Sequence, residues 1–365
     1  MTDLTFVAIR TRSVARAIPG DVLRVGAQLL DAGRTRLLAD PPLPVLTLLR
    51  RCRPVLRLRT LTMYTAAAQV ARVLGDDVAF RVTPYAGAAR DLLGEFALGV
   101  DGARHALLRT ELDERLAPLA AGLQPWADDA ACRILAEATA AWVADPVAEL
   151  GWRLPTAFVA DRGLCPSPAR DGDEDAQEEE WDEGHDELCR QATDVYEACF
   201  ANLRRDRGVA GRGRRASAAL AARGLTTQDI GLVVGAIPTV CEAVTRAVPV
   251  LRADPTRWAH VRQAAARDDH TLLWAYVAEA LRFDPQAPGL VRAPADDPER
   301  LVFASTYAAM HDPTRVARPA AFRTDRPEHT YLHFGLGPHR CPGEQIATTL
   351  LTAAVRAVAL ADLDA

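Results

Sequence analysis

The chain of 365 residues is 49% hydrophobic and 25% charged, the proportions of an ordinary globular protein. These values exclude a disordered chain, a collagen and a coiled-coil rod, and the length allows one large domain or two average ones. The formal charge of −5 is uneven, because residues 171–187 hold 11 of the 48 acidic residues and no arginine. All 43 basic residues are arginine, and the rest of the chain is mildly basic.

Apolar residues recur at spacings of three and four along most of the chain, which predicts a mainly α fold with a minor β part. The predicted helices are 21–32, 64–74, 103–121, 127–143, 187–203, 226–251, 258–266, 270–283 and 342–360. The predicted strands are 55–62, 289–292 and 301–307. Because no fixed-period repeat or Gly/Ser linker divides the chain, we expect a single domain over residues 1–365.

Two charged stretches are expected on the surface. The acidic stretch 171–187 predicts a solvated loop or helix start, because like charges repel. The arginine-rich stretch has interleaved glycines and lacks an aromatic residue to stack a base, so we expect a loop between helices and no nucleic-acid binding. Its arginines are Arg204, Arg205, Arg207, Arg212, Arg214 and Arg215.

The chain shows no sign of export or of a membrane anchor. No apolar run approaches the roughly 18 to 20 residues of a membrane-spanning helix, and residues 1–4 lack the pattern of a signal peptide. Seven widely spaced cysteines without a CxxC pair argue against a disulfide framework and structural zinc. A soluble, cytoplasmic protein is expected.

The most informative segment is FGLGPHRCPGE, residues 334–344. Its glycines allow tight turns and close approach to a flat partner, and Cys341 stands immediately before Pro342 at a predicted helix start. The free N–H groups and positive dipole end of a helix favour a thiolate there. Because no histidine and acid lie at the spacing of a nucleophile triad, we interpret Cys341 as an axial haem ligand.

This segment resembles the cysteine loop of the cytochrome P450 superfamily, Phe-Gly-x-Gly-x-His/Arg-x-Cys-x-Gly. Every specified position of that pattern is matched, by Phe334, Gly335, Gly337, His339, Cys341 and Gly343. The resemblance implies the P450 fold, one large haem-binding domain with its thiolate loop at 334–343, and haem b as cofactor. Cys341 is then the metal ligand.

Other residues match the same family. Glu279 and Arg282 correspond to its Glu-x-x-Arg, which implies a structural ion pair with the stretch before the cysteine loop. The resemblance also implies haem propionate binding by His105 and Arg109, which match its His-x-x-x-Arg, and by Arg292 and His339. The cofactor-binding residues expected on this basis are His105, Arg109, Arg292, Phe334, Gly335, His339, Cys341 and Gly343.

The chain departs from the family in the long helix above the haem. Residues 235–239 read Gly-Ala-Ile-Pro-Thr, so Pro238 stands where the family has the acid of an acid–alcohol pair. Proline removes a backbone N–H and is expected to kink the helix at the carbonyl of Val234. In an O2-dependent monooxygenase, protons would be delivered through Thr239 and water or through Glu242. Alternatively, the substrate supplies its own peroxide bond, as for a peroxygenase, hydroperoxide isomerase or dehydratase.

We favour O2-dependent monooxygenation of a mostly hydrophobic organic molecule in natural-product biosynthesis. The expected catalytic residues are Thr239 and Glu242, and the expected pocket residues are Phe96, Val234, Ala236, Pro238 and Leu290. The chain carries no GxGxxG after a strand, so a ferredoxin and a ferredoxin reductase would supply electrons. The alternative that is not an enzyme is a haem-binding sensor or carrier.

Overall fold

The computed structural model describes residues 43–165, 174–199 and 207–361, and all structural statements refer to them. The first half contains α1 Leu43–Cys52, β1 Val55–Arg57, β2 Leu61–Tyr64, α2 Ala67–Gly75, β3 Phe80–Arg81, α3 Thr83–Leu93, α4 Gly102–Ala120, α5 Leu123–Ala140 and α6 Pro146–Asp161. The second half contains α7 Glu174–Cys199, α8 Arg207–Ala222, α9 Thr227–Arg252, α10 Pro255–Ala266, α11 His270–Phe283, β4 Leu290–Pro294, β5 Leu301–Ala304, α12 Thr306–Met310 and α13 Glu344–Leu360. The prediction of a mainly α fold with a small β part is confirmed.

The five strands form one sheet in the order β1-β2-β5-β4-β3. Only β2 and β5 run parallel, with Leu61 opposite Leu301, and the other neighbours are antiparallel. One face of the sheet packs on α1 and α12 through an apolar cluster that includes Met63 and Phe303. The other face packs on α2 and reaches Leu336 of the cysteine loop. The sheet therefore supports that loop from one side.

Helix α9 lies at the centre of the helical part and packs against α6, α7, α11 and α13. It starts at a capping box, in which the Thr226 hydroxyl accepts from the Asp229 N–H and the Asp229 carboxylate accepts from the Thr226 N–H. Within the described residues, α9 is the one helix long and apolar enough to cross a membrane, and 61% of its most apolar window is buried inside the protein. Its apolar character is accounted for by this central position.

Most predicted helices are confirmed, with shifted ends. The predicted helix at 64–74 begins only at residue 67, because residues 61–64 form β2, and the predicted strand at 55–62 divides into β1 and the start of β2. The predicted strand at 301–307 ends at residue 304, where α12 follows. The acidic stretch is helical from residue 174. The predicted helix at 21–32 and the arginines at 204 and 205 lie outside the described residues.

The prediction of a loop in the arginine-rich stretch is wrong, because residues 207–222 form α8. The reason lies in the packing of α8 against α7. A Cβ on Gly213 would overlap the side chain of Ala198 and would lie 3.0 Å from the carbonyl of Asp194. The glycine that argued for a loop therefore permits two helices to approach closely, and this contact outweighs its low helix propensity.

A buried ion pair joins α11 to the segment before the cysteine loop. Glu279 and Arg282 have no solvent-exposed side-chain surface, and two hydrogen bonds of 2.7 and 2.9 Å connect them. Arg282 also donates to the carbonyl oxygens of Pro319 and Ala321. Paired charges with several further hydrogen bonds are the form in which charge is tolerated in a protein interior.

The Glu279 carboxylate has further donors from the same segment. It accepts from the Arg326 guanidinium at 3.0 Å, the Arg323 N–H at 2.9 Å and the Tyr331 hydroxyl at 3.2 Å. Burial alone would raise the pKa of Glu279, but the hydrogen bonds and charges of these arginines outweigh it and lower the pKa. The carboxylate is thus ionised at neutral pH, and its stabilising effect is lost as the pH falls through its folded-state pKa.

Replacing Glu279 by Gln should leave Arg282 and Arg326 without their shared anion and should lower the free energy of unfolding by about 3 to 5 kcal/mol. Urea unfolding of the purified protein measures this loss. The matched control is Asp325→Asn, which breaks the ion pair between Arg323 and the exposed Asp325 and should change the unfolding midpoint far less, because solvent screens an exposed pair. Equal losses in the two variants would contradict the central role of Glu279.

A second prediction concerns two glycines on α9. A Cβ on Gly231 would overlap the ring of Phe96, whereas a Cβ on Gly235 would meet no atom within 4 Å. Gly231→Ala should therefore destabilise the protein by about 1 to 3 kcal/mol through overpacking. Gly235→Ala, with the same gain in helix propensity, should be neutral or stabilising by up to about 1 kcal/mol. Thermal unfolding of both variants measures the difference, and a loss in Gly235→Ala alone would refute this account.

Candidate haem site

The cysteine loop turns tightly at two glycines with left-handed backbone, Gly335 with φ 75° and Gly337 with φ 76°. A Cβ on Gly337 would lie 2.7 Å from the carbonyl oxygen of Leu74, so only glycine allows the loop to rest on the end of α2. The Cys341 N–H donates to the Phe334 carbonyl at 2.8 Å and closes the loop. The loop therefore presents Cys341 just before α13 in a fixed backbone frame.

The thiol of Cys341 lies deep in this loop, although the residue as a whole is half-buried. Burial raises the pKa of the thiol, and the Gly343 N–H and the positive charges of Arg109 and Arg340 oppose this rise only in part. The sequence-based expectation that the helix start favours a thiolate is therefore outweighed by burial. A metal ion would deprotonate the thiol outright, since a coordinating thiol binds as the thiolate.

Two histidines and an aspartate meet beside the loop. The rings of His105 and His339 lie 3.9 Å apart between centroids, and both residues are buried. His339 Nε2 lies 3.3 Å from Asp101 Oδ1, without the alignment of a hydrogen bond, and His339 Nδ1 has no hydrogen-bond partner. A buried ring nitrogen without a partner is costly, so this arrangement fits an acceptor such as a haem carboxylate.

The charges of this cluster affect one another. Burial opposes ionisation of Asp101, but the close contact with His339, the hydrogen bond from the Val82 N–H and nearby positive charge lower its pKa. The pKa of His105 is lowered, mainly by burial and further by the charges of His339 and Arg109. His105 is therefore held neutral more readily than an exposed histidine.

The predicted arginines take different positions. Arg109 donates through Nη1 to the Arg340 carbonyl at 2.5 Å, which connects α4 to the cysteine loop. It also donates through Nε to Asp113 at 2.8 Å on its own helix. Arg292 is buried on β4 and donates to the Val291 carbonyl at 2.9 Å. Arg340 pairs with Glu344 at 2.5 Å. Arg292 and the two histidines are thus the buried donors among the residues that the resemblance assigns to propionates.

The donor set fits a haem. A porphyrin supplies four ligands of its own, so one cysteine suffices on the protein side. Within residues 43–165, 174–199 and 207–361, no group of three or more His, Cys, Asp or Glu residues could hold a metal ion by itself. Phe334 stacks on Trp274 with ring centroids 6.1 Å apart, which fixes the start of the loop. Gly335 and Gly343 complete a loop that a flat partner can approach closely.

Helix α9 runs from Thr227 to Arg252 with Pro238 inside it, so the proline does not end the helix, and the kink at Pro238 stays a prediction. Pro238 itself is buried, while Gly235, Ala236 and Thr239 form a strip that is partly or fully exposed. The Thr239 hydroxyl donates to the Gly235 carbonyl at 2.5 Å. This strip offers one hydroxyl in otherwise apolar surroundings.

The remaining predicted residues are placed as follows. Glu242 is bound to Arg246 at 2.8 Å, and Arg246 also binds Asp284, so the carboxylate is engaged in an ion-pair chain. Phe96 and Val234 are buried in the core, with the Phe96 ring against Gly231. Leu290 is partly buried, and its Cδ1 would lie 3.5 Å from a Cβ on Gly335.

Sequence reasoning missed several residues that support this site. Asp101 lies beside His339, and Arg326 and Tyr331 bind Glu279. His333 Nε2 lies 2.8 Å from the Ala278 carbonyl, and burial lowers the pKa of His333 to about 4, so the neutral ring donates this bond. Of these residues, only Asp101 has a recognisable position in the sequence: it directly precedes α4, where aspartate is favoured as a helix cap.

Comparisons with known proteins agree with this geometry. The structure of CalO2 matches with a TM-score of 0.68 at 25% identity and covers 89% of each chain. The structure of P450BioI with an acyl-loaded acyl carrier protein matches with a TM-score of 0.70 at 15% identity over 89% of this chain and 92% of the other. CYP164A2 of Mycobacterium smegmatis matches with a TM-score of 0.69 at 20% identity over 92% of both chains.

Sequence similarity to curated proteins is local. A 48-residue segment is 48% identical to linoleate diol synthase of Gaeumannomyces graminis, and a 57-residue segment is 40% identical to a bifunctional dioxygenase–epoxy alcohol synthase of Fusarium oxysporum. These segments are 13% and 16% of this chain and 4% of each curated protein. No protein-family model matches the chain. The structural matches confirm the fold that the cysteine-loop resemblance implies: the chain has the cytochrome P450 fold.

Proposed function

We propose that the protein is a haem-thiolate oxidoreductase, one domain over residues 1–365, that oxidises a mostly hydrophobic small organic molecule. The observation that carries this proposal is the cysteine loop, which holds Cys341 before α13 beside a buried histidine whose Nδ1 lacks a hydrogen-bond partner. The fold alone hosts many substrates, so the reaction is argued from this site. A haem-binding sensor or carrier could use the same loop, so the formation of product distinguishes the enzyme from these alternatives.

In this proposal the Cys341 sulfur would bind the haem iron. His105, His339 and Arg292 bind the propionates, and Arg109 holds the loop by its carbonyls. Haem b fits because the chain lacks the CxxCH pattern of covalent attachment. When bound, the haem supplies the oxidising chemistry, and its reactivity is tuned by thiolate donation.

The apolar strip on α9 supports a hydrophobic substrate. Gly235 leaves open space beside the helix, Ala236 is partly exposed, and Thr239 contributes one hydroxyl. Phe96 and Val234 lie behind this strip in the core and shape it, and Leu290 lies near the cysteine loop. In an O2-dependent monooxygenase, Thr239 Oγ1 would hold and pass a proton at this strip. Cytoplasmic ferredoxin and its reductase would then supply electrons.

A second candidate function is the rearrangement or use of a peroxide. Pro238 leaves the helix without the usual acid, and Glu242 is engaged by Arg246. The locally similar proteins are named for linoleate diol and epoxy alcohol synthesis, the latter joined to a dioxygenase. A fatty-acid hydroperoxide and the corresponding epoxy alcohol or diol are isomers, so such a conversion needs no external electrons. If the protein has this second function, its substrates are fatty-acid hydroperoxides.

The identity of the ligand is tested by Cys341→Ser. The variant should lose the red-shifted absorption of the ferrous carbonyl complex, because an alcohol donates much less charge to iron than a thiolate does. The matched control is Cys241→Ser on α9. Cys241 is buried, and a Cβ on Gly151 of α6 would lie 3.4 Å from its Sγ, so the control should keep the band. Loss of the band in Cys241→Ser alone would refute the assignment.

The oxidant is tested by product analysis. Linoleic acid with O2, ferredoxin, its reductase and NADPH is compared with linoleic acid hydroperoxide alone, under the same buffer conditions. Electron-dependent product supports the monooxygenase, and product from the hydroperoxide without electrons supports the isomerase. Substrate-induced changes in the ferric spectrum without product in either assay would favour a sensor or carrier.

Thr239→Ala separates the two enzymatic candidates. In a monooxygenase, loss of the hydroxyl should lower product formed per electron pair roughly 100-fold, in the range of proton-transfer effects. In a hydroperoxide isomerase, the rate should change little. The matched control is Thr245→Ala, whose hydroxyl donates to the Cys241 carbonyl at 3.0 Å on the same helix. Well-coupled O2-dependent turnover in Thr239→Ala would exclude Thr239 as the proton donor.

A further inference from the structure

A cavity of about 610 Å³ opens beside the sheet, and none of the residues assigned to the haem is among its lining residues, although Val302 of the lining is the strand partner of Arg292. Three arginines line it: Arg57 on β1, Arg72 in the last turn of α2, and Arg300 before β5. Thr62 and Tyr64 on β2 and Asp296 are further polar residues of the lining. Its lining includes no residue of the cysteine loop or of α9, so it is a separate feature of the molecule.

The positive charge of this cavity is only partly compensated. Arg57 and Arg72 are exposed, and neither guanidinium takes part in an ion pair or hydrogen bond with any other described residue. Arg300 pairs with Asp297 at 3.1 Å. Among the described residues of the lining, Asp296 alone carries a carboxylate. The cavity therefore holds an excess of positive charge.

The lining segments differ in charge. Acidic residues stand close to the segments 79–80 and 294–302, namely Asp76, Asp77, Asp296, Asp297 and Glu299, whereas the segment that carries Arg57 and Arg72 has none. Residues 43–75 contain six arginines and no acidic residue, although arginines elsewhere in the structure are often ion-paired. The nearest acid in sequence after α2 is Asp76, and its Oδ1 already accepts the Ala79 N–H at 2.9 Å. Like charges gathered in a concave surface repel one another, and a bound anion would relieve that repulsion.

The residue types in the lining favour phosphate over other anions. Guanidinium groups bind phosphate through paired N–H donors, and hydroxyls add further donors to its oxygens. The rings of Tyr64 and Phe80 provide an apolar wall. The volume lies within the range of about 300 to 1,000 Å³ that is usual for small-molecule sites. We propose that this cavity binds a phosphate-bearing small molecule, independently of the haem chemistry.

The proposal is tested by calorimetric titration of the purified haem-loaded protein in phosphate-free buffer at constant ionic strength. The probes are inorganic phosphate, pyrophosphate and adenosine monophosphate. Saturable binding of one equivalent of at least one probe is expected. Tighter binding of the monophosphate than of inorganic phosphate identifies an organic phosphate ester as the ligand class, and the reverse order identifies a free phosphate.

Variants assign the binding to the cavity. Arg57→Gln and Arg72→Gln should each weaken binding roughly tenfold or more, as expected for loss of a charge-assisted contact. Both residues are exposed, and an unchanged thermal unfolding midpoint checks that each variant is folded. The matched control is Arg267→Gln, which removes an exposed arginine after α10 and should leave affinity unchanged. Absence of saturable binding, or equal weakening in the control, overturns the proposal.

Discussion

The buried carboxylate of Glu279 connects α11 to the segment that leads into the cysteine loop, and the geometry of the candidate site depends on it. A fully buried anion is tolerated only if its oxygens are satisfied, and here the partners come from α11 and from the segment between residues 319 and 331. The same segment leads directly into the cysteine loop. The position of Cys341 therefore depends on an electrostatic arrangement more than ten residues earlier in the chain. Arginine suits this role because its planar group binds a carboxylate and several carbonyls at once.

A second support acts from the opposite side of the loop. Gly337 rests on the end of α2, and α2 rests on the sheet through apolar contacts. The loop is thus held between a charged contact on one side and close backbone packing on the other. Rigid placement of this kind is what a ligand to a metal requires, since small displacements change bond geometry.

Much of the fold could be predicted because its helices are long and strongly periodic. The helix at 270–283 is predicted with both ends correct, and α9 and α13 within two residues. The failures arise where tertiary contacts outweigh local preference. Gly213 lowers the helix propensity of α8, yet it is needed for the close contact with α7. Pro238 lies inside a helix that continues past it, and α9 packs against other helices on several sides.

The candidate site was predictable to the extent that it lies in short motifs. Cys341 and His339 share one loop, and Glu279 and Arg282 share one helix turn. Asp101 and Arg326 could not be found in this way, because their partners are far away in sequence and their contacts depend on the folded backbone. The contact of Arg109 with the loop carbonyls is also invisible to a motif, which records residue types and not directions.

The end of α1 offers a practical consequence. Among the cysteines, Cys52 is exposed and the other six are half-buried or buried. It lies three residues before β1, the strand that brings Arg57 to the cavity. A thiol-reactive fluorophore should therefore attach preferentially at Cys52 in the native protein. Because the chain contains no lysine, amine-reactive dyes are limited to the chain terminus, and two different labels can be introduced by orthogonal chemistry without any substitution.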